Sequence, residues 1–108
     1  MGGMMNRTRT PDIADADRDA TPDEGAEALK ALGNEKRLRI MRLIAQNPGI
    51  CSCKVLEQFD MSQSTLSHHM QLLCSTGLVE CRKDGKWARY TISRDGLSKV
   101  IAYLERLA

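Results

Sequence analysis

Apolar residues recur at helical spacing in four successive stretches before Gly77, alternate with polar ones from Leu78 to Ile92, and return to helical spacing after Ser93. Thr21-Pro22-Asp23-Glu24 combines a capping hydroxyl, a proline suited to the first helical position and a glutamate that completes a capping box. The helix it opens carries Ala28, Leu29 and Leu32 on one face and stops at Gly33. Asn34 is a cap for a second helix, with Leu38, Met41, Leu43, Ile44 and Ala45 toward a core, and Asn47-Pro48-Gly49 ends it. Ser52 is the expected cap of a short third helix through Phe59, with Val55, Leu56 and Phe59 inward. Ser62 caps a longer fourth, with Leu66, Met70, Leu73 and Cys74 inward, and Gly77 supplies the left-handed stop. Asp84-Gly85 between two alternating runs predicts a β-hairpin, whose inward face is Val79 and Cys81 on one strand and Ala88, Tyr90 and Ile92 on the other. Ser93 caps a last helix with Leu97, Val100, Ile101, Leu104 and Leu107 along one side.

The expected architecture is mainly α with a small β-hairpin (α+β), in the order α-α-α-α-β-β-α. A short helix, a brief turn and a longer helix match a helix-turn-helix in length and spacing, and the hairpin beside it makes the unit a winged helix-turn-helix. In that arrangement the exposed early part of the fourth helix, Gln63, Ser64, Thr65, Ser67 and His68, faces a DNA groove. Glutamine pairs bidentately with adenine, and hydroxyls bond bases or phosphates. His69 turns instead toward the protein or a phosphate. Arg82, Lys83, Lys86, Arg89 and Arg94 are opposed within the hairpin region only by Asp84, which suits the wing to a phosphate backbone. Arg82, Lys83 and Lys86 are the wing residues expected at the DNA. By contrast, Lys36, Arg37, Arg39 and Arg42 on the second helix read as a solvated face.

Charge divides the chain. Residues 1–24 hold six acids against three arginines, a balance of −3, whereas residues 25–108 hold thirteen bases against eight acids, a balance of +5. The first twenty residues lack periodicity and are expected to be a disordered tail, leaving 21–108 as one DNA-binding and dimerisation domain. Aromatics make up only 4% of the chain, and a small domain so constituted often completes its core with a second copy. The apolar stripe of the last helix is wider than a small core needs. Leu29, Leu32, Val100, Ile101 and Leu104 are therefore the expected homodimer interface.

No apolar run approaches the roughly 20 residues needed to cross a bilayer, and the start lacks the apolar stretch of a secretory signal, so the expected location is cytoplasmic, without a membrane partner. A reducing compartment favours free thiols or metal ligands over disulfides for Cys51, Cys53, Cys74 and Cys81. The last two fall on inward faces and read as structural. Cys51-x-Cys53 with lone Cys74 and Cys81 lacks the paired knuckles of a structural zinc module. No nucleophile–base pair, paired carboxylates or phosphate loop is present, so no enzyme and no organic cofactor is expected.

These features resemble the ArsR/SmtB family of bacterial winged-helix metalloregulatory repressors over most of residues 27–107. The resemblance is carried by ALGNEKRLRIMRLI, by the Cys-x-Cys opening the third helix, by SQSTLSHHMQLL and by GLVECRKDGKWARYTIS. It implies a homodimer that represses a metal-resistance operon at a palindromic double-stranded operator and leaves it when the inducer binds. The thiol pair is similar to the arsenic-sensing branch, which implies As(III) or Sb(III) as inducer at Cys51 and Cys53. That branch has a third cysteine three residues on, where this chain has Leu56, so the third ligand must come from Cys74, Cys81, the partner subunit, a small thiol or solvent. The cadmium/lead-sensing branch uses cysteines of an N-terminal arm, and residues 1–50 contain none. The zinc-sensing branch uses Asp and His on the last helix, where residues 94–108 offer only Asp95 and Glu105 as carboxylates and no His.

Residues i and i+2 lie about 200° apart on a helix, so two thiols within one regular turn cannot converge. If Cys51 and Cys53 both lie in that turn, chelation requires it to unwind or re-aim, which tilts the reading helix that follows. The helix N-terminus is expected to favour both thiolates. The alternatives on the same fold are a thiol-redox switch, against which the strain of an i, i+2 disulfide counts, and a non-metal repressor.

Overall fold

The structure is a computed structural model that describes residues 22–108; the tail expected over 1–20 and the Thr21 cap lie outside the described residues. Helices α1 (Pro22–Leu32) and α2 (Glu35–Gln46) are followed by a two-residue strand β1 (Ile50–Cys51). Next come α3 (Ser52–Gln58), α4 (Gln63–Ser75), strands β2 (Val79–Asp84) and β3 (Trp87–Ile92), and α5 (Arg94–Glu105). The α-α-α-α-β-β-α order holds with one addition. β1 pairs antiparallel with β3, giving a three-stranded sheet in the order β1-β3-β2.

Three caps act as the residue types dictate. Asn34 Oδ1 accepts from the Arg37 amide at 3.0 Å, Ser62 Oγ from Thr65 at 3.1 Å, and Ser93 Oγ from Gly96 at 3.0 Å. The third helix differs from expectation. Its cap is Cys51, not Ser52, with Cys51 Sγ accepting from the Cys53 amide at 3.3 Å. Pairing of Cys51 with Arg89 keeps the chain extended one residue longer, so Ser52 enters the helix and is buried. There its hydroxyl accepts from the Ala88 amide at 3.2 Å, satisfying a strand donor that β1 is too short to reach.

The core is centred on Ile40, Ile44, Val55, Leu73 and Leu78, all fully buried. On α2 the inward stripe is Ile40, Met41 and Ile44, with Leu43 half-buried. Leu38 is 51% exposed and Ala45 is also outward. Leu38 lies about 200° around the helix from Ile40, so both cannot face one core. On β2 only Val79 is buried; the strand then leaves the body of the domain as a wing, and Cys81, expected inward, is exposed. The tip is displaced by one residue, with Asp84 opposite Trp87 and Gly85-Lys86 forming the turn, Gly85 at φ +64°.

Gly77 adopts φ +81°, and its amide and that of Leu78 return to the carbonyls of Cys74 and Leu73, each at 3.1 Å. This closes α4 and lays β2 beside its last turn. On α5, Val100 is buried within the single chain, which corrects its placement at an interface. Ile101 (54% exposed), Leu104 (44%) and Leu107 (72%) remain outside, and Leu29 and Leu32 are half-buried against the core. No helix among the described residues is long and apolar enough to cross a membrane.

The start of α5 sits directly on the α4–β2 turn, and a Cβ at Gly96 would overlap the Gly77 carbonyl oxygen. Because that neighbour is backbone, relief requires the reading helix and α5 to separate. Gly96→Ala is expected to cost about 1–3 kcal/mol, the usual range for overpacking. A thermal melt should fall by several degrees, and an unchanged melting temperature would contradict the packing described.

Candidate functional site

The exposed end of α4 is organised by its cap. Ser62 Oγ donates to Thr65 Oγ1 at 2.9 Å and lies 3.2 Å from Ser64 Oγ, so the Ser64 and Thr65 hydroxyls are held in one cluster. Gln63, Ser64, Thr65, Ser67 and His68 are all exposed, as the helical pattern required of a reading surface. Gln63 and Ser67 also line a cleft of about 260 Å³ whose opposite wall is Lys83, Gly85, Lys86 and Trp87. Arg82, Lys83 and Lys86 are exposed, and the Lys86 ammonium lies 5.6 Å from the Trp87 ring centroid. Thus two of the five predicted reading residues, Gln63 and Ser67, and two of the three predicted wing residues, Lys83 and Lys86, face one opening.

His69 is excluded from that surface. It is 9% exposed, and its Nδ1 lies 3.2 Å from Arg37 Nη1. Arg37 in turn donates from Nε to the Ala31 carbonyl at 2.6 Å and from Nη2 to that of Lys30 at 3.3 Å. Arg37 was expected on a solvated face; instead it joins the end of α1 to the reading helix. Burial lowers the His69 pKa, and the charges of Arg37, His68 and Lys36 lower it further.

The two thiols of the Cys-x-Cys pair converge. Cys51 lies in β1, outside the helix, at φ −72° and ψ 141°, whereas Cys53 is inside the first turn of α3. Their Cα atoms are 5.2 Å apart and their sulfurs are paired as a disulfide. The expectation that the turn must unwind before the sulfurs can meet therefore does not hold, because only one of the two belongs to the turn. Nor are both cysteines primed when reduced. The side-chain hydrogen bond from Cys53 lowers the Cys51 pKa, helped by the Cys53 and Lys54 amides and by Arg89, against a smaller opposing effect of burial. The same bond raises Cys53. Of the reduced pair, Cys51 is therefore the more acidic partner.

Arg89, which the sequence offered only as one wing charge among several, is the residue the thiols face. It is the cross-strand partner of Cys51, donates from Nε to Asp84 at 2.7 Å and from Nη1 to the Gly49 carbonyl at 3.0 Å. One guanidinium therefore links the thiol pair, the loop before it and the tip of the wing. Cross-strand partners share a sheet face and neighbours alternate, so Cys51 and Arg89 occupy one face and Cys81 and Tyr90 the other. Cys74 and Cys81 accordingly do not complete a ligand set with Cys51 and Cys53. Among the described residues no three His, Cys, Asp or Glu side chains converge as a metal cluster.

Comparison with known proteins agrees with this arrangement. Residues 34–80, from the cap of α2 into β2, match the family model described as bacterial regulatory protein, arsR family. An arsenical resistance operon repressor of Staphylococcus aureus is 41% identical over 76 residues, 70% of this chain and 72% of that protein. An uncharacterized HTH-type transcriptional regulator of Methanocaldococcus jannaschii is 36% identical over 85 residues, 79% of this chain and 96% of that one. The chain belongs to the arsR family.

The solved structure of an ArsR-like transcriptional regulator from Rhodococcus sp. RHA1 superposes with a TM-score of 0.68 at 27% identity, covering 79% of each chain. The arsR-family members matched are transcriptional regulators and not enzymes, so the winged helix-turn-helix here is a DNA-binding regulatory module. The resemblance inferred from the motifs is thereby established.

Within this arsR-family domain the Arg37–His69 contact gives the reading helix a pH-dependent anchor. The folded state holds His69 neutral below its ordinary value of 6.5, while the unfolded chain protonates there. The stabilisation is complete above about pH 6.5 and is lost as pH falls from 6.5 toward the depressed folded value. Melting temperatures measured from pH 7.5 to 5 should decline for this reason, and His69→Gln should flatten that decline. An equal slope in the variant would show that His69 is not the group responsible.

Proposed function

We propose that the protein is a cytoplasmic, homodimeric repressor that holds a palindromic operator until As(III) or Sb(III) binds Cys51 and Cys53. The observation carrying this reading is the convergence of the two sulfurs at the β1–α3 junction, on the strand paired with the wing. Trivalent arsenic and antimony are soft and thiophilic, which suits a two-thiol donor set. Two of three coordination positions would be filled by Cys51 and Cys53, and the third by solvent, a small thiol or the partner subunit. The Staphylococcus aureus relative is named for repression of an arsenical resistance operon, which supports the same inducer chemistry here. Ile101 and Leu104 on α5, with Leu29 and Leu32 on α1, would form the interface between two copies. Gln63, Ser64, Thr65, Ser67 and His68 would read bases while Arg82, Lys83 and Lys86 grip phosphates.

The route from thiols to DNA in this reading runs through the wing. Arg89 holds Asp84 at one end and Gly49 at the other, with the Cys51 sulfur nearby. Loading the pair turns the Cys51 thiol beside this guanidinium into an ion-bound sulfur and re-aims Cys51, whose strand partner is Arg89 itself. The hairpin that grips phosphate is then held differently. A coupling of roughly 1–3 kcal/mol is typical of such linkage and would weaken operator binding several-fold or more. A second reading is favoured by the sulfurs being paired: oxidation of Cys51 and Cys53, instead of ion binding, would be the input to the same route.

Cys51→Ser and Cys53→Ser are expected to bind operator DNA like the parent chain and to stay bound on arsenite addition. Titrating the reduced protein with arsenite and, separately, with peroxide distinguishes the readings; release from a Cys51/Cys53 double serine variant by arsenite would overturn the first, and release by peroxide the second.

Arg89→Gln should still load arsenite but release DNA several-fold less completely, with an unchanged dependence of affinity on salt. A salt slope reduced by about one would instead mark Arg89 as a phosphate contact.

A further inference from the structure

A second pair of thiols lies on the other face of the sheet. Cys74 is in the last turn of α4 and Cys81 is the third residue of β2. The Gly77 reversal packs these two segments side by side, close enough for Cys74 and Cys81 to act on each other electrostatically. Cys74 is half-buried against the core, whereas Cys81 is exposed and opens into the cleft between Gln63, Ser67, Lys83 and Lys86. Tyr90, the cross-strand partner of Cys81, closes the inner side.

We propose that Cys74 and Cys81 form a separate soft-metal site, a two-thiolate clamp between the reading helix and the wing that takes a d¹⁰ cation of the copper(I) class. The number of donors selects the ion. No third His, Cys, Asp or Glu joins them among the described residues, and the Tyr90 phenol, raised to about 12 chiefly by burial, stays protonated at neutral pH. Two sulfurs without a further donor suit a soft ion content with two ligands, not one that demands a tetrahedral or octahedral shell. Burial and the neighbouring Cys81 push the Cys74 thiol up to about 11, so Cys74 keeps its proton while the site is empty. On loading, two S–H bonds break, two sulfur–copper bonds form and two protons pass to solvent; no electrons are exchanged. Cys81, reached from the cleft, takes the ion first, and Cys74 closes on it from the protein side.

The test uses the full chain carrying Cys51→Ser and Cys53→Ser, kept reduced under anaerobic conditions and titrated with copper(I) against a chromophoric chelator. This protein should withdraw a single equivalent per chain from the chelator, and adding Cys81→Ser or Cys74→Val should abolish that uptake while circular dichroism stays unchanged. No uptake by the double serine variant, or uptake that survives Cys81→Ser, would overturn the site. Should the Cys74 variant fail to fold, alkylation decides: copper(I) should protect Cys81 of the double serine variant from N-ethylmaleimide, and unprotected labelling would count equally against the proposal.

Discussion

The pairing of Cys51 with Arg89 across β1 and β3 is the constraint on which the site depends. It holds Cys51 in an extended conformation, which makes it the cap of α3 and not a member of it. From that position its sulfur meets the sulfur of Cys53, a contact that two residues of one regular turn could not make. The same pairing brings the Arg89 guanidinium beside the thiols, where it accounts for part of the acidity of Cys51. A strand of only two residues thus sets which cysteine caps the helix, where the two sulfurs meet and which part of the sheet lies beside them.

Arg89 also resolves an electrostatic conflict in the wing. Its cross-strand partner on β2 is Arg82, and like charges directly opposite one another are unfavourable. Asp84, two residues further along β2 on the same face, takes the Arg89 Nε at 2.7 Å and leaves Arg82 free to face solvent. Both partners of this ion pair are substantially exposed, so its contribution to stability is small. Its value is positional. The fork between Asp84 and Gly49 keeps the hairpin at a set angle to the loop that carries the thiols. The Ser62 cluster serves the reading helix in a similar way, since hydroxyls held by a cap present fewer orientations to a base edge.

Much of this was legible from residue order. Asn34, Ser62, Ser93 and Gly77 announced helix ends because capping and left-handed geometry are local, decided by a few neighbouring residues. The exposure of Gln63, Ser64, Thr65, Ser67 and His68 followed from the same periodicity that buried Leu66, Met70 and Leu73. What escaped were features fixed by partners distant in the chain. Ser52 reads as a cap until β3 arrives, thirty-six residues later in sequence, and Ala88 claims its hydroxyl. Arg37 looks like one more solvated base, and only the packing of α4 reveals His69 beside it. Cys81 alternates correctly for the face it shares with buried Tyr90, yet it opens into the cleft between α4 and the wing, and no periodicity reports a cleft.

A thermodynamic consequence follows from housing the thiols and the wing in one sheet. If ion binding weakens the hold on DNA, then DNA must weaken the hold on the ion by the same factor, because both legs of the cycle begin and end in the same states. In that cycle the wing is not merely an output: phosphates drawn against Arg82, Lys83 and Lys86 would pull on the sheet that positions Cys51. Because an ion is held by thiolates, the protons of Cys51 and Cys53 would be part of that linkage. Their release on loading would make the discrimination between free and DNA-bound protein a function of pH as well as of ion concentration.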